Sequence, residues 1–188
     1  MTCQTLSEVV AEAEQVQSAA KATFGGLSSE QINWKPSPGE WSMAQCLEHL
    51  ILLNTPYFPQ IEAIVAGKRK PRLWERMPLL PALFGRLILG AVQPESKQKV
   101  RARAAFTPVS NPIDIGILTR FSAHQDHLIR LMKATAHLPI HEIILTSVVS
   151  PVVTYSLFDA YRILVAHERR HLHQADRVMR TQGFPQRS

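Results

Sequence analysis

The chain has 188 residues, of which 45% are hydrophobic and 19% charged, a composition that indicates one globular domain and excludes a disordered or coiled-coil protein. Its formal net charge of +6 comes from one internal stretch, because residues 68–103 carry a net charge of +8 and the rest of the chain carries −2. Two cysteines, Cys3 and Cys46, are too few for a disulfide framework and form no CxxC pair, so a metal site would have to use histidine and carboxylate ligands.

The first predicted helix covers residues 6–24, followed by a glycine pair, Gly25-Gly26, that we expect to end it in the left-handed conformation. Acidic residues stand where a secretory signal needs basic ones, so we expect a cytoplasmic protein without a signal sequence. The apolar residues recur at helical spacings of three and four: Leu6, Val9, Val10, Ala13, Val16 and Ala20.

The second predicted helix opens at Ser42, and Gln45 three residues later completes the capping-box pattern. Pro56 and Pro59 interrupt it. Because proline lacks an N–H donor and clashes with the preceding turn, we expect a kink or break near Thr55. The apolar stripe of this helix continues across the break: Met43, Cys46, Leu47, Leu50, Leu53, Tyr57, Ile61 and Ile64.

The connection over residues 68–110 is both basic and apolar. It contains Trp74, Phe84 and the proline-interrupted run MPLLPALFGRLILGAV, which predicts a partly helical segment folded over apolar surface. The run includes Arg86 and is shorter than the ~20 residues that span a bilayer, so no transmembrane segment is expected. Three interpretations stay open: a packed insertion with a solvated basic rim, a lid over an acidic substrate, or a contact with a membrane surface or partner. No nucleic-acid-binding motif accompanies the charge, and we expect no nucleic acid partner.

The third predicted helix starts at Asn111-Pro112, an N-cap followed by proline at the first helical position, and its inner face includes Ile117 and Leu128. Residues 143–154 are rich in β-branched side chains, but we expect an extended loop because no partner strand is evident. The fourth predicted helix covers residues 157–179. Four amphipathic helices joined by loops predict one all-α domain over residues 1–188, an antiparallel four-helix bundle with a long connection between helices 2 and 3.

Histidines on two of these helices indicate a metal site. His167 and His171, four residues apart, occupy apolar-stripe positions where leucine would be expected, and their rings can converge on one ion. His49, at the edge of the second helix's stripe, is a candidate third ligand. Three histidines leave coordination positions open, as catalytic sites do. His173 points to the opposite side of the helix.

Other interpretations of the histidines remain open. A buried histidine is commonly a hydrogen-bonded core residue, although two adjacent imidazoles without partners are costly to bury. His124 and His127 on the third helix are competing candidates, and His124 can be a fourth ligand, a hydrogen-bond donor to a ligand or a core residue, of which we favour the last. HERRH also matches the zinc-protease signature, but the residues after His171 lack the further glycine and histidine, or the glutamate, that known protease classes need.

Two stretches of the chain resemble the DinB-like superfamily, which includes the YfiT-like proteins regarded as metal-dependent hydrolases. They are LSSEQINWKPSPGEWSMAQCLEHL (residues 27–50) and AHERRHLHQADRVM (residues 166–179). The resemblance implies a four-helix bundle, often a homodimer, in which His49, His167 and His171 bind a divalent metal. Nickel or zinc is the first expectation and manganese or iron an alternative. Characterised members use low-molecular-weight thiols such as mycothiol, bacillithiol or glutathione in transfer and isomerisation reactions.

A metal held by three neutral ligands keeps its full charge, so it can acidify a bound water or activate a thiolate. Glu168 and Gln174 are the candidate catalytic residues, to orient a ligand or move a proton. Arg101 and Arg103 are candidates to hold the carboxylate of a small-molecule substrate, which can be a thiol. A non-catalytic metal- or small-molecule-binding bundle stays open, as does a metal-free interaction protein that acts through residues 68–103.

Overall fold

The computed structural model describes residues 4–72, 75, 80–94, 103–108 and 112–186, and most of them are helical. The helices are α1 (Leu6–Phe24), α2 (Ser29–Asn33), α3 (Met43–Asn54), α4 (Phe58–Val65), α5 (Leu80–Val92), α6 (Ile117–Ala134) and α7 (Leu157–Met179). Two short strands, β1 (Ile144–Thr146) and β2 (Thr154–Ser156), precede α7. None of the described helices is both long and apolar enough to cross a membrane.

Helices α1, α3, α6 and α7 contribute much of the hydrophobic core. Helix α1 packs against α6 and α7, and α3 packs against the same two helices. The apolar stripes read from the sequence supply the residues between them. Fully buried examples from the four helices are Val9, Ala13, Leu47, Leu50, Phe121, Leu128, Leu164 and Ala175.

Apolar periodicity, capping residues and prolines in the sequence correctly predicted several helix boundaries. Helices α1 and α7 have the predicted bounds. The capping box at the start of α3 is confirmed, since Ser42 Oγ accepts from the Gln45 N–H at 3.2 Å and Gln45 Oε1 accepts from the Ser42 N–H at 3.1 Å. The break near Thr55 is also confirmed: α3 ends at Asn54, a 3-10 turn follows, and α4 begins at Phe58.

Helix α6 begins at Ile117, and not at the predicted Asn111-Pro112. Pro112 precedes the helix, and Asn111 lies outside the described residues. Tertiary contacts oppose the helical conformation here. The side-chain amide of Asn33 bonds both backbone groups of Ile113 at 2.8 Å, and Asp114 Oδ1 accepts from the Gly116 N–H at 2.8 Å. These bonds hold the backbone in a turn that precedes the helix.

Two further expectations are corrected. Residues 143–154 are not an unpaired loop, because the β-branched stretch folds back so that β1 and the following β2 pair in antiparallel register, with Leu145 opposite Tyr155. The partner strand shares only Thr154 with this stretch and continues to Ser156, directly before α7. Gly25 caps α1 with φ −64°, a right-handed conformation, instead of the left-handed one expected.

The long connection is anchored to the rest of the protein by a buried carboxylate. Glu75 accepts hydrogen bonds from Arg69 Nη2, the Arg72 N–H and Thr146 Oγ1, each at 2.7 Å. Thr146 lies in β1, so Glu75 ties the start of the connection to the hairpin. Helix α5 then packs on β2 and α7.

Gly85 allows this close packing of α5. A Cβ atom at Gly85 would lie 2.8 Å from Asp159 Oδ2, and Asp159 is held by Ser156 at 2.9 Å and by Arg162 at 3.2 Å. We expect Gly85→Ala to be less stable than Gly90→Ala by about 1–3 kcal/mol in chemical denaturation, because overpacking costs energy. Gly90 is the matched control, since no heavy atom lies within 4 Å of a Cβ placed there. Equal stabilities of the two variants would contradict the close contact.

Candidate metal centre

His49 on α3 faces His167 and His171 on α7. One ligand atom from each imidazole lies within 4.8 Å of the others. The Nε2 atoms of His167 and His171 are 3.1 Å apart, and the three ring centroids are separated by 4.5–5.2 Å. His49 and His171 are buried and His167 is half-buried. The three histidines predicted as ligands are therefore brought together at one point between two helices.

A backbone carbonyl orients His49. Its Nδ1 lies 2.6 Å from the carbonyl oxygen of Phe106. Because a carbonyl oxygen only accepts, Nδ1 carries the proton and Nε2 keeps its lone pair for a ligand bond. Phe106 belongs to the long connection, in a 3-10 turn (Ala104–Phe106). The connection therefore helps to build the site, which sequence reasoning missed because a carbonyl group carries no residue-specific signal.

All three imidazoles are in the neutral form that binds metal ions. Burial lowers the pKa of His49, and it lowers the pKa of His171 to about 3, with smaller contributions from His49, Arg170 and Arg177. Burial and the neighbouring histidines hold the pKa of His167 well below its usual range. Protons therefore compete little for the ring nitrogens near neutral pH, and the uncharged rings can converge without mutual repulsion.

Trp41 covers one side of the histidine cluster. Its ring stacks on His171 with centroids 5.7 Å apart and an interplanar angle of 26°, and it lies 4.9 Å from the ring of His49. Trp41 precedes the N-cap of α3, so the start of that helix positions it. The sequence did not indicate Trp41 as a site residue. Its aromatic surface limits water access to the rings from that side.

The stacking predicts an optical signal. Co²⁺ or Ni²⁺ at the histidines should quench the emission of Trp41, because these open-shell ions lie next to its ring, whereas Zn²⁺ should quench little. Trp41→Phe should lose the saturable quenching. Trp34→Phe is the matched control and should keep it, since Trp34 packs against Phe184 with centroids 5.6 Å apart, in a different environment. Quenching that persists in Trp41→Phe would place the ion elsewhere.

Glu168 follows His167 in the chain but is fully buried in the core. Asn54 Nδ2 donates to Glu168 Oε1 at 2.7 Å, and the Gln125 side chain interacts with the same carboxyl group. Burial raises the pKa of Glu168 to about 8, so the carboxyl group is mostly protonated at neutral pH. Within the described ranges, Glu168 Oε2 and Asn54 Oδ1 have no hydrogen-bond partner. The pair joins α3 to α7, the two helices that carry the histidines.

The other predicted site residues are spread around the centre. Gln174 is half-buried and interacts with His171, which raises the His171 pKa slightly against the larger effect of burial. Arg103 is exposed, three residues before Phe106, and Arg101 lies outside the described residues. Arg170, which sequence reasoning did not single out, donates to the carbonyl oxygen of Ala91 at 2.7 Å and so holds the end of α5 near the histidines.

The remaining histidines lie apart from this centre. His124 is buried against the Phe58 ring at 4.6 Å, and burial lowers its pKa to about 4, in agreement with the favoured interpretation of a core residue. His127 Nε2 lies 3.0 Å from Glu62 Oε1, and His173 is exposed. Cys46 is a buried thiol whose pKa burial raises to about 12, so it packs as an apolar residue.

Comparison with known proteins identifies one relationship. The family model described as the DinB superfamily matches residues 12–175. The match includes His49, His167 and His171. No curated protein and no solved structure gives a significant match to the chain.

Proposed function

The chain belongs to the DinB superfamily, and from this premise we propose that it is a metal-dependent transferase or hydrolase in which His49, His167 and His171 bind one divalent ion. The observation that carries the proposal is the convergence of three neutral imidazoles, one of them oriented by the Phe106 carbonyl. Zinc and nickel both suit an all-imidazole ligand set. When bound, such an ion acidifies a water or thiol that it binds.

The charges around the centre favour an anionic substrate. Arg170 and Arg177 both lower the pKa of His171, which means that their positive field reaches the ligands. The ligand set contributes no carboxylate to offset that field. A thiolate or carboxylate of a low-molecular-weight thiol would therefore be attracted to the centre. Gln174, which interacts with His171, is the candidate to orient such a group, and Arg101 and Arg103 remain candidates to hold its carboxylate.

The proposed architecture is a single four-helix bundle over residues 1–188, supported by the packing of α1 and α3 on both α6 and α7. A homodimer and a cytoplasmic location remain predictions. Sedimentation velocity of the purified protein tests the first of them.

A non-catalytic metal-binding bundle is the second candidate. It is favoured by the position of Glu168, because this carboxyl group, next to His167 in the chain, is bonded to Asn54 inside the core. That position does not present an obvious general base to the histidines.

The test is turnover by metal-loaded protein. Protein reconstituted with zinc, nickel, manganese or iron is assayed for conjugation of glutathione, bacillithiol and mycothiol to electrophiles and for hydrolysis of simple esters and amides. We expect activity with at least one ion that is lost in His171→Ala and kept in His173→Ala, the exposed histidine on the same helix. Stoichiometric metal binding without turnover would favour the non-catalytic bundle, and equal activity in His171→Ala would overturn the proposal.

A further inference from the structure

Helix α5 turns an apolar face to solvent. Its exposed residues lie on one side of the helix, and only one of them is polar. Leu83 and Leu87, one turn apart, are 53% and 60% exposed, and both are large apolar side chains. A helix on a protein surface ordinarily carries charged and polar residues on its outer face. The exposed positions of α5 are Ala82, Leu83, Arg86, Leu87 and Gly90.

The packing of α5 prevents these leucines from turning inward. Pro81 and Gly85 are buried on the opposite side, with Gly85 against Asp159 of α7. At the other end, Arg170 bonds the carbonyl oxygen of Ala91 at 2.7 Å. Rotation of the helix would break both contacts. The apolar face is therefore a fixed feature of the surface.

The stretch of sequence that contains α5 is strongly basic, which favours an anionic partner for this face. The stretch from residue 68 to residue 103 has a net charge of +8, and Lys68, Lys70, Arg86 and Arg103 are exposed. Two copies of the chain meeting through this face would bring like charges together, which opposes self-association. A nucleic acid would match the charge but would not bury leucines. An anionic lipid surface satisfies both features, because apolar side chains enter the interface while basic residues bind headgroups.

We propose that α5, together with the exposed basic residues of the same stretch of chain, forms a docking surface for anionic lipid bilayers. Helix α5 lies in the plane of the interface, with Leu83 and Leu87 entering the boundary between headgroups and acyl chains. Arg86, an exposed residue on the same face, binds lipid phosphate. This interaction is separate from the metal centre and does not depend on the proposed reaction.

The test is co-sedimentation with large unilamellar vesicles. We expect the wild-type protein to bind vesicles rich in phosphatidylglycerol, to bind pure phosphatidylcholine weakly, and to be released by high salt. The double variant Leu83→Ser/Leu87→Ser should bind at least about tenfold less, because it removes the apolar part of the attraction. Leu52→Ser, which alters a 36% exposed leucine on α3, is the matched control and should bind like the wild type.

Several results would overturn the proposal. Wild-type protein that does not sediment with phosphatidylglycerol vesicles excludes lipid docking. Unchanged binding by the double variant, abolished by double-stranded DNA, would indicate a purely electrostatic site. A wild-type dimer that the double variant converts to a monomer would show that a second copy covers the face. Metal content, measured in the same preparations, should be equal in all variants, so these outcomes do not depend on the metal centre.

Discussion

Replacing His49 or His171 with alanine should abolish stoichiometric metal binding. Wild-type protein purified without a nickel column or chelator should contain about one divalent ion per chain, as a single three-histidine site requires. Each variant should bind metal more than about 100-fold more weakly, because losing a ligand costs more than the 10–100-fold that losing a ligand's hydrogen-bond partner costs. Elemental analysis gives the stoichiometry, and competition with a chromophoric chelator gives the affinity.

His173→Ala is the control for this experiment. It removes an exposed imidazole from α7, the same helix, and should leave both the stoichiometry and the affinity unchanged. Far-ultraviolet circular dichroism of all variants shows whether the helices persist. Wild-type protein that binds no zinc, nickel or manganese after reconstitution would refute the site, and the three histidines would then be core residues.

Replacing Glu168 with glutamine should make the protein more stable at alkaline pH. Burial raises the pKa of Glu168 to about 8, whereas the carboxyl group of an unfolded chain has a value of about 4.5. The folded state therefore holds a proton that the unfolded state releases, and stability falls as pH rises from about 4.5 through 8. Each unit of pKa difference corresponds to ~1.4 kcal/mol, so the loss reaches several kcal/mol.

Glutamine keeps the oxygen that accepts from Asn54 and cannot ionise. Near pH 5 the variant and the wild type should have similar free energies of unfolding. Near pH 9 the variant should be more stable by about 2–4 kcal/mol, because it does not lose this linkage energy. Urea denaturation at both pH values measures the difference. Glu30→Gln, a change at an exposed position, is the matched control and should show no such pH dependence.

The same Glu168 variant also tests two roles of the residue. A destabilisation that is equal at pH 5 and pH 9 would show that the buried carboxyl group is not preferentially protonated in the folded protein. If the variant keeps its metal and loses turnover, Glu168 moves a proton as the sequence predicted. If it keeps both, the residue serves to join α3 and α7 through Asn54.

The sequence by itself determined the features that depend on neighbours along the chain. The helical spacing of apolar residues and the Ser42–Gln45 capping box set the bounds of α1, α7 and the start of α3, because capping and periodicity act within one or two turns. The break near Thr55 followed from the chemistry of proline in the same way. The pairing of His167 with His171 was also local, since residues four apart lie on one helix face.

Only the tertiary structure decided the features that depend on distant residues. Asn33 bonds Ile113 and so holds the backbone before α6 in a turn, and β1 pairs with β2 as a hairpin. The Phe106 carbonyl orients His49 across 57 positions of the chain. Asn54 and Glu168 meet in the core across 114 positions. No local sequence pattern predicts these contacts, because each depends on packing that forms only when the helices assemble. The convergence of His49 with the two α7 histidines belongs to this class, although the position of His49 on its helix and the family resemblance both predicted it.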